Sequence, residues 1–380
     1  MTGILRHQRP ALWGLVTALL CALSLTACGG STLLGGSGAS STGYPEVATK
    51  NTTRVGGGTT ADRAAAVSLA VWPGAGQRPS SVALLPGDWQ SALAATPLAA
   101  PPFKAAFLMA NDGIPDSTQS ALDALDPTGV KSSQGVKRIR VGGADDPGDS
   151  SQITADYPAA LADAVDQSRD AAGAHMTNSV VVVGTTGPEW AVPAGAWAAR
   201  SGDPVLFAEK DALPQPTVAA IRRHGRPLIL LLAPISGVSV AVEKQLQANG
   251  DVVRITGKNP TEAAIAFARF RDGDRGWGLT DPGHGFIFYN QDNPMDGIIS
   301  SPLSAAGTWA ATIPLPSDGP LPTSLDQYLR DVQPGFRDDP TRSVYNHGWL
   351  MGNTDSISQE TQANLDRLLE MVPANERMNP

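Results

Sequence analysis

The chain has 380 residues, a formal charge of −8 and an isoelectric point near 5.1. A nucleic-acid binder should carry a basic stripe, and none is evident along this acidic chain, so no nucleic-acid partner is expected. Two cysteines, Cys21 and Cys28, exclude a disulfide framework and a thiolate metal cage.

The first element is a secretory signal. Arg6 and Arg9 form its basic start, and Ala11 to Leu25 form an apolar run of about 15 residues, shorter than the roughly 18 to 20 that span a bilayer. Leu25-Thr26-Ala27-Cys28 resembles the lipobox of bacterial lipoproteins. The resemblance implies cleavage after Ala27 and a diacylglycerol on Cys28. Two acyl chains hold a protein stably at a membrane. Cleavage would leave no cysteine nucleophile and, with Arg6 and Arg9 removed, 26 basic against 36 acidic residues. Gly29 to Gly43 reads as a flexible Gly/Ser tether with an r.m.s. reach of roughly 20 Å.

Three segments of similar order follow. Each opens with a short strand, a polar turn and an alanine-rich helix, at Arg54, Ile153 and Arg254. An apolar strand comes next, at Val82–Leu85, Val180–Val183 and Phe286–Tyr289, and then a small-residue helix from Ser91, Ala191 or Gly297. A further strand follows at Ala106–Met109, Pro204–Phe207 or Thr312–Leu315, and then a helix opening at Ile114-Pro115, Leu213-Pro214 or Leu321-Pro322. The last predicted strand is Arg138–Val141, Leu228–Leu232 or Ser343–Tyr345, and Gln359 begins a final helix. Short apolar strands alternating with helices predict an α/β fold with buried parallel sheets.

This order, with Arg254-Ile255-Thr256-Gly257, Thr261-Glu262-Ala263-Ala264, Pro204-Val205-Leu206-Phe207 and the Gly352–Ser358 turn, resembles the type 2 cell-wall-binding repeat of clostridial surface proteins. The resemblance implies three tandem Toprim-like repeats packed as a pseudo-trimer. The expected division is a signal peptide at 1–27, lipidated cysteine and linker at 28–50, repeats at 51–147, 148–252 and 253–372, and a tail at 373–380. Binding grooves in the family lie between repeats. Carried over residue by residue, they implicate Pro204, Val205, Leu206 and Phe207, with Phe107, Leu108, Ile313 and Leu315. Arg54, Arg63, Arg200 and Arg254 are candidates for anionic groups, because guanidinium suits phosphate or carboxylate. The copies are unequal: the third keeps Asp292 and Asp296 before its second helix, the first has Ser91 at the second of these positions, and the second has lost the pattern.

Catalytic constellations are sparse. His175, His224, His284 and His347 stand at no metal-ligand spacing, and neither a G-x-S-x-G elbow nor a P-loop occurs. Gly56-Gly57-Gly58 and Gly142-Gly143 suit an anion cradle or a plain strand-to-helix connection. Asp292 and Asp296 suit a divalent cation, an acid–base pair or, best, the N-terminus of the following helix. Seven of the eight tryptophans, Trp72, Trp89, Trp190, Trp197, Trp277, Trp309 and Trp349, lie beyond the signal and suit sugar stacking or core packing.

The expectation is a non-enzymatic lipoprotein without cofactor or metal, on the extracytoplasmic face of the cell membrane. Its partners would be the membrane, through Cys28, and a cell-wall or envelope polymer bound non-covalently, such as an anionic glycopolymer. The alternative is a solute-binding lipoprotein serving an importer.

Overall fold

The computed structural model describes residues 47–374 except 75, 307–309 and 318. Cys28, the signal, the tether and Trp309 lie outside the described residues. The first segment contains β1 (Val47–Ala48), β2 (Thr52–Val55), α1 (Thr60–Val71), β3 (Ser81–Leu85), α2 (Trp89–Ala94), β4 (Ala105–Met109), α3 (Asp116–Leu125) and β5 (Arg138–Val141). The second contains β6 (Ser151–Ile153), α4 (Pro158–Ala171), β7 (Ser179–Gly184), α5 (Pro188–Ala191), α6 (Pro193–Ser201), β8 (Val205–Ala208), α7 (Gln215–Arg223), β9 (Leu228–Leu232) and α8 (Val240–Gln247). The third contains β10 (Asp251–Ile255), α9 (Pro260–Arg269), β11 (Gly285–Asn290), α10 (Pro294–Ile299), α11 (Pro302–Ala305), β12 (Ala310–Leu315), α12 (Thr323–Asp331), β13 (Gly335–Phe336), β14 (His347–Met351), α13 (Gln359–Leu369) and β15 (Val372–Pro373).

Local chemistry explains these boundaries. Thr59 and Asp62 form a reciprocal capping box at the start of α1. Asn259 caps α9, and Ser358 caps α13. Pro115, Pro214 and Pro322 sit just ahead of α3, α7 and α12, one position earlier than the first helical turn that the sequence suggests. The central strands β3, β7, β9 and β11 are buried along their whole length, which is why they read as continuous apolar runs.

Three main sheets share one strand order. Sheet I runs β4-β3-β5-β6, sheet II β8-β7-β9-β10, and sheet III β12-β11-β14-β2-β1. Every pairing among them is parallel except the antiparallel β1–β2 edge. In sheets I and II the fourth strand comes from the segment that follows in sequence, and in sheet III it is β2 of the first segment, with Thr52 to Val55 paired to Gly348 to Met351. The chain is thereby closed into a ring.

The same cyclic rule protects the opposite sheet edges. Helix α2 of the first segment packs on β8, α6 of the second on β12, and α11 of the third on β4. The three meet at Gly195, where a Cβ would lie 2.9 Å from Ser301 Oγ and 3.1 Å from both Leu93 Cδ1 and Thr96 Cγ2. A side chain there would force the segments apart.

One strand assignment changes. Ser343–Tyr345 is not a strand, and Val344 and Tyr345 are exposed. The strand is β14, whose Gly348 lets α13 approach so closely that a Cβ would lie 2.8 Å from Leu369 Cδ1. The first segment also lacks the final helix that α8 and α13 supply in the others; residues 142–150 connect β5 directly to β6.

Candidate functional site

The three segment junctions collect most of the residues that the sequence singles out. Strands β4, β8 and β12 line them, each beneath a helix of another segment. Phe107, Leu108, Pro204, Val205, Leu206, Phe207, Ile313 and Leu315 are nevertheless buried. Phe107 and Phe207 belong to the continuous core, whereas Leu108 faces a smaller cluster under α1 and α3. The Trp89 ring stands edge-on to Phe207 at 6.2 Å, across the first and second segments. These strand side chains hold the junctions together, and in this arrangement they do not offer a polymer a surface. Their apolar character, read from sequence as a groove lining, is that of a sheet edge covered by a helix.

The four arginines separate into three environments. Arg54 on β2 has no exposed surface. Its Nε donates to Gln362 Oε1 at 3.0 Å, and its Nη1 donates to the Gly352 and Asn353 carbonyls at 3.0 and 2.9 Å. Arg254 occupies the equivalent place on β10: it donates to the Ala233 carbonyl at 2.8 Å and pairs with Glu243 at 2.8 Å. On β6 the equivalent residue is Gln152, whose amide donates to the Gly142 carbonyl at 3.3 Å. Each of these side chains fastens an incoming strand to the turn after the third strand of the preceding segment. Arg54 and Arg254 are therefore clasps, and burial removes Arg54 from contact with an external anion.

Arg63 lies at the junction of the first and third segments. Its Nε donates to Asp296 Oδ1 at 2.8 Å, while its other nitrogens donate to the Gly57 carbonyl and to Thr60 Oγ1. Asp296 is 1% exposed, and its Oδ2 has no hydrogen-bond partner among the described residues. Burial pushes its carboxyl above the ordinary range, against the pull of Arg63. Asp292 instead accepts from Ser317, so the two acids do not converge on one ligand. Among the described residues no group of three or more His, Cys, Asp or Glu is arranged to hold a metal ion. Arg200, in the last turn of α6, borders a polar cavity, and partial burial lowers its pKa.

A buried charge network went unread in the sequence. Asp166 on α4 pairs with Arg223 at 2.6 Å and His224 at 3.1 Å, and the His224 Nδ1 lies 2.9 Å from the Thr177 carbonyl. Both ring nitrogens thus face acceptors. Burial opposes the imidazolium, but the hydrogen bond and charge of Asp166 outweigh it and raise the His224 pKa. Burial likewise opposes ionisation of Asp166, and His224 with Arg223 holds that carboxyl below its ordinary range. Nearby, Arg169 reaches from α4 into the first segment and donates to the Pro97 carbonyl at 2.5 Å. Burial lowers its pKa to about 10. The available signal was Asp166 and Arg169 on a helix face otherwise made of Leu161, Ala162 and Val165.

Among the tryptophans, Trp197 and Trp277 are buried and stand edge-on to each other at 5.3 Å, which is core packing. Trp349 lies 5.3 Å from the His347 ring.

No protein-family model matches the chain, and no curated protein matches it in sequence. Solved structures do match. Cwp6 from Clostridium difficile is similar with a TM-score of 0.67 at 17% identity, over 84% of this chain and 48% of its own length. Cwp8 from Clostridium difficile is similar with a TM-score of 0.65 at 15% identity, over 84% of this chain and 52% of its own. The chain thus spans about half the length of each, and shares with them an α/β fold.

Proposed function

We propose that the protein is a membrane-anchored surface lipoprotein whose three segments form a pseudo-trimer of Toprim-like repeats and bind a cell-wall or envelope polymer non-covalently. The observation that carries this reading is the cyclic exchange of strands among three sheets of identical order, in a fold similar to two clostridial Cwp proteins. The repeat order in the sequence points the same way, and the lipobox supports anchoring at Cys28. Burial of the β4, β8 and β12 side chains implies that a polymer would meet the loops and helix ends bordering the junctions, rather than the strand side chains themselves. No catalytic role is proposed.

Two measurements test the reading. The full chain should be retained by purified wall material at low salt and released by added soluble polymer; absence of retention sinks the binding claim. Cys28→Ser should abolish incorporation of labelled fatty acid and shift the protein from the membrane to the soluble fraction. A variant that stays firmly membrane-bound would remove the lipid anchor from the account.

A further inference from the structure

The outer edges of the three main sheets are unequal. At sheet III, β1 lies antiparallel along β2, with Val47 opposite Arg54 and Ala48 opposite Thr53. Sheet I ends in β6, a strand of three residues, and the connection before it exposes Asp146 and Asp149. Sheet II ends in β10, which has five residues, and among the described residues no strand lies along its far side. A covering strand, short length and flanking charge are ordinary protections of a sheet edge. They serve β10 poorly. Asp251 stands at its very end, and the Arg254 side chain is drawn back to Glu243 and the Ala233 carbonyl.

The pairing with β9 shows which backbone groups are open. The Asp251 N–H donates to the Pro227 carbonyl at 3.1 Å, so Asp251, Val253 and Ile255 bond toward β9. The N–H and carbonyl groups of Val252 and Arg254 therefore point away from the sheet. Arg254 is the counterpart of Arg54, which makes Val252 the counterpart of Thr52. In sheet III the Thr52 carbonyl accepts from the Thr49 N–H, and Arg54 lies opposite Val47. The same row of groups thus receives an antiparallel strand elsewhere in this molecule.

The flank of this edge is apolar at its centre. Val252 and Val253 are half-buried, and α8 packs beside them. At the turn into α8, Ile235 and Val240 are 59% and 46% exposed.

We propose that β10 pairs with the β10 of a second copy of this chain, antiparallel about a two-fold axis through Val253. Val252 of each copy then faces Arg254 of the other, and these residues exchange both backbone hydrogen bonds. Val253 meets its own counterpart across the axis, and Asp251 faces Ile255. Like charges are nowhere directly opposite, and the central contacts are between valines. A strand pairing with its own kind forms an isologous interface that closes at two copies, leaving neither edge open. The claim rests on neither the lipid anchor nor polymer binding, so its failure leaves both readings untouched.

Sedimentation of the full chain carrying Cys21→Ser and Cys28→Ser, in mild detergent to keep the apolar signal from associating, tests this. The mass should rise toward that of a dimer by about 100 µM. Val252→Pro removes an outward N–H that β9 does not use, a position where an edge strand tolerates proline. It should weaken association about tenfold or more with the melting temperature nearly unchanged. In the same cysteine-free background, Val253→Cys should form a disulfide-linked dimer under mild oxidation, since Cα atoms of such facing pairs lie roughly 4.5 Å apart. Val252→Cys should not, because its counterpart lies two residues further along the partner strand. A monomer throughout that range, or a dimer unaffected by Val252→Pro, overturns the proposal. So does cross-linking that is equal at the two positions. If the proline lowers the melting temperature, the two cysteine variants decide the outcome.

Discussion

Burying a guanidinium is costly unless its donors are satisfied, and Arg54 meets that condition with carbonyl oxygens and an amide rather than with an external ligand. Arg54→Met keeps most of the apolar stem but leaves the Gly352 and Asn353 carbonyls short of a donor. A loss of about 3 kcal/mol in unfolding free energy is expected, read from the urea midpoint. Retained stability would show that the clasp is dispensable. His224 makes a second prediction. Its folded pKa is raised, so its stabilisation is complete below the unfolded value of about 6.5 and is lost as pH rises through the folded value. Asp166, whose folded pKa is lowered, contributes above about 3.8 and fails as pH falls. Between those limits the pair is at full strength. His347 shifts the other way, lowered by burial, so the informative quantity is the difference between the native chain and His224→Asn. That difference should shrink steadily from pH 6 to pH 9 in chemical denaturation; a constant difference would mean that His224 is neutral in the fold.

At the scale of elements, β2 matters because it completes a sheet assembled about 300 residues later in the chain. A chain lacking residues 47–56 leaves β14 as an edge with unpaired backbone groups. Hydrogen exchange in β14 and α13 should rise sharply in that variant, while sheet II keeps its protection. A peptide of residues 47–56 added in trans should restore it. Unchanged exchange in β14 would contradict the clasp. This long-range pairing also marks how far the sequence could be read. The order of strands and helices was legible, since buried strands make unbroken apolar runs and prolines mark helix starts. Ser343–Tyr345 misled because a short apolar cluster in a loop resembles a strand, while β14 is interrupted by His347 and Gly348. The division at 252/253 cuts through β10, because the exchanged strand belongs by sequence to one segment and by pairing to another sheet. Period and composition carry no record of a partner. For the same reason Arg54 and Arg254 looked like surface cations until their acceptors, far away in sequence or across a turn, were brought beside them.

At the scale of the whole molecule, the junction of the first and third segments that closes the ring adds an ion pair to the β2–β14 strand pairing. Opposite Asp296 stands Arg63, whereas at the corresponding place between the first and second segments Ser91 lies near Leu161 against Gly142. An ion pair at one junction and a small serine beside a leucine at another make the junctions chemically unlike, so segments docked in the wrong order would bury Asp296 against Leu161. Arg63→Met alone leaves the Asp296 carboxylate buried without its cation, and should cost about 3 to 5 kcal/mol. Burial already pushes that carboxyl upward, so protonation should relieve the variant, making it relatively more stable at pH 5 than at pH 8. Adding Asp296→Leu to Arg63→Met removes the orphaned charge and should recover most of the loss, because a buried ion pair replaced by apolar groups of similar volume is often neutral in stability. Denaturation of the native chain, both single variants and the double variant yields the coupling energy directly. A double variant no better than Arg63→Met would show that the pair serves the ring by shape and not by charge.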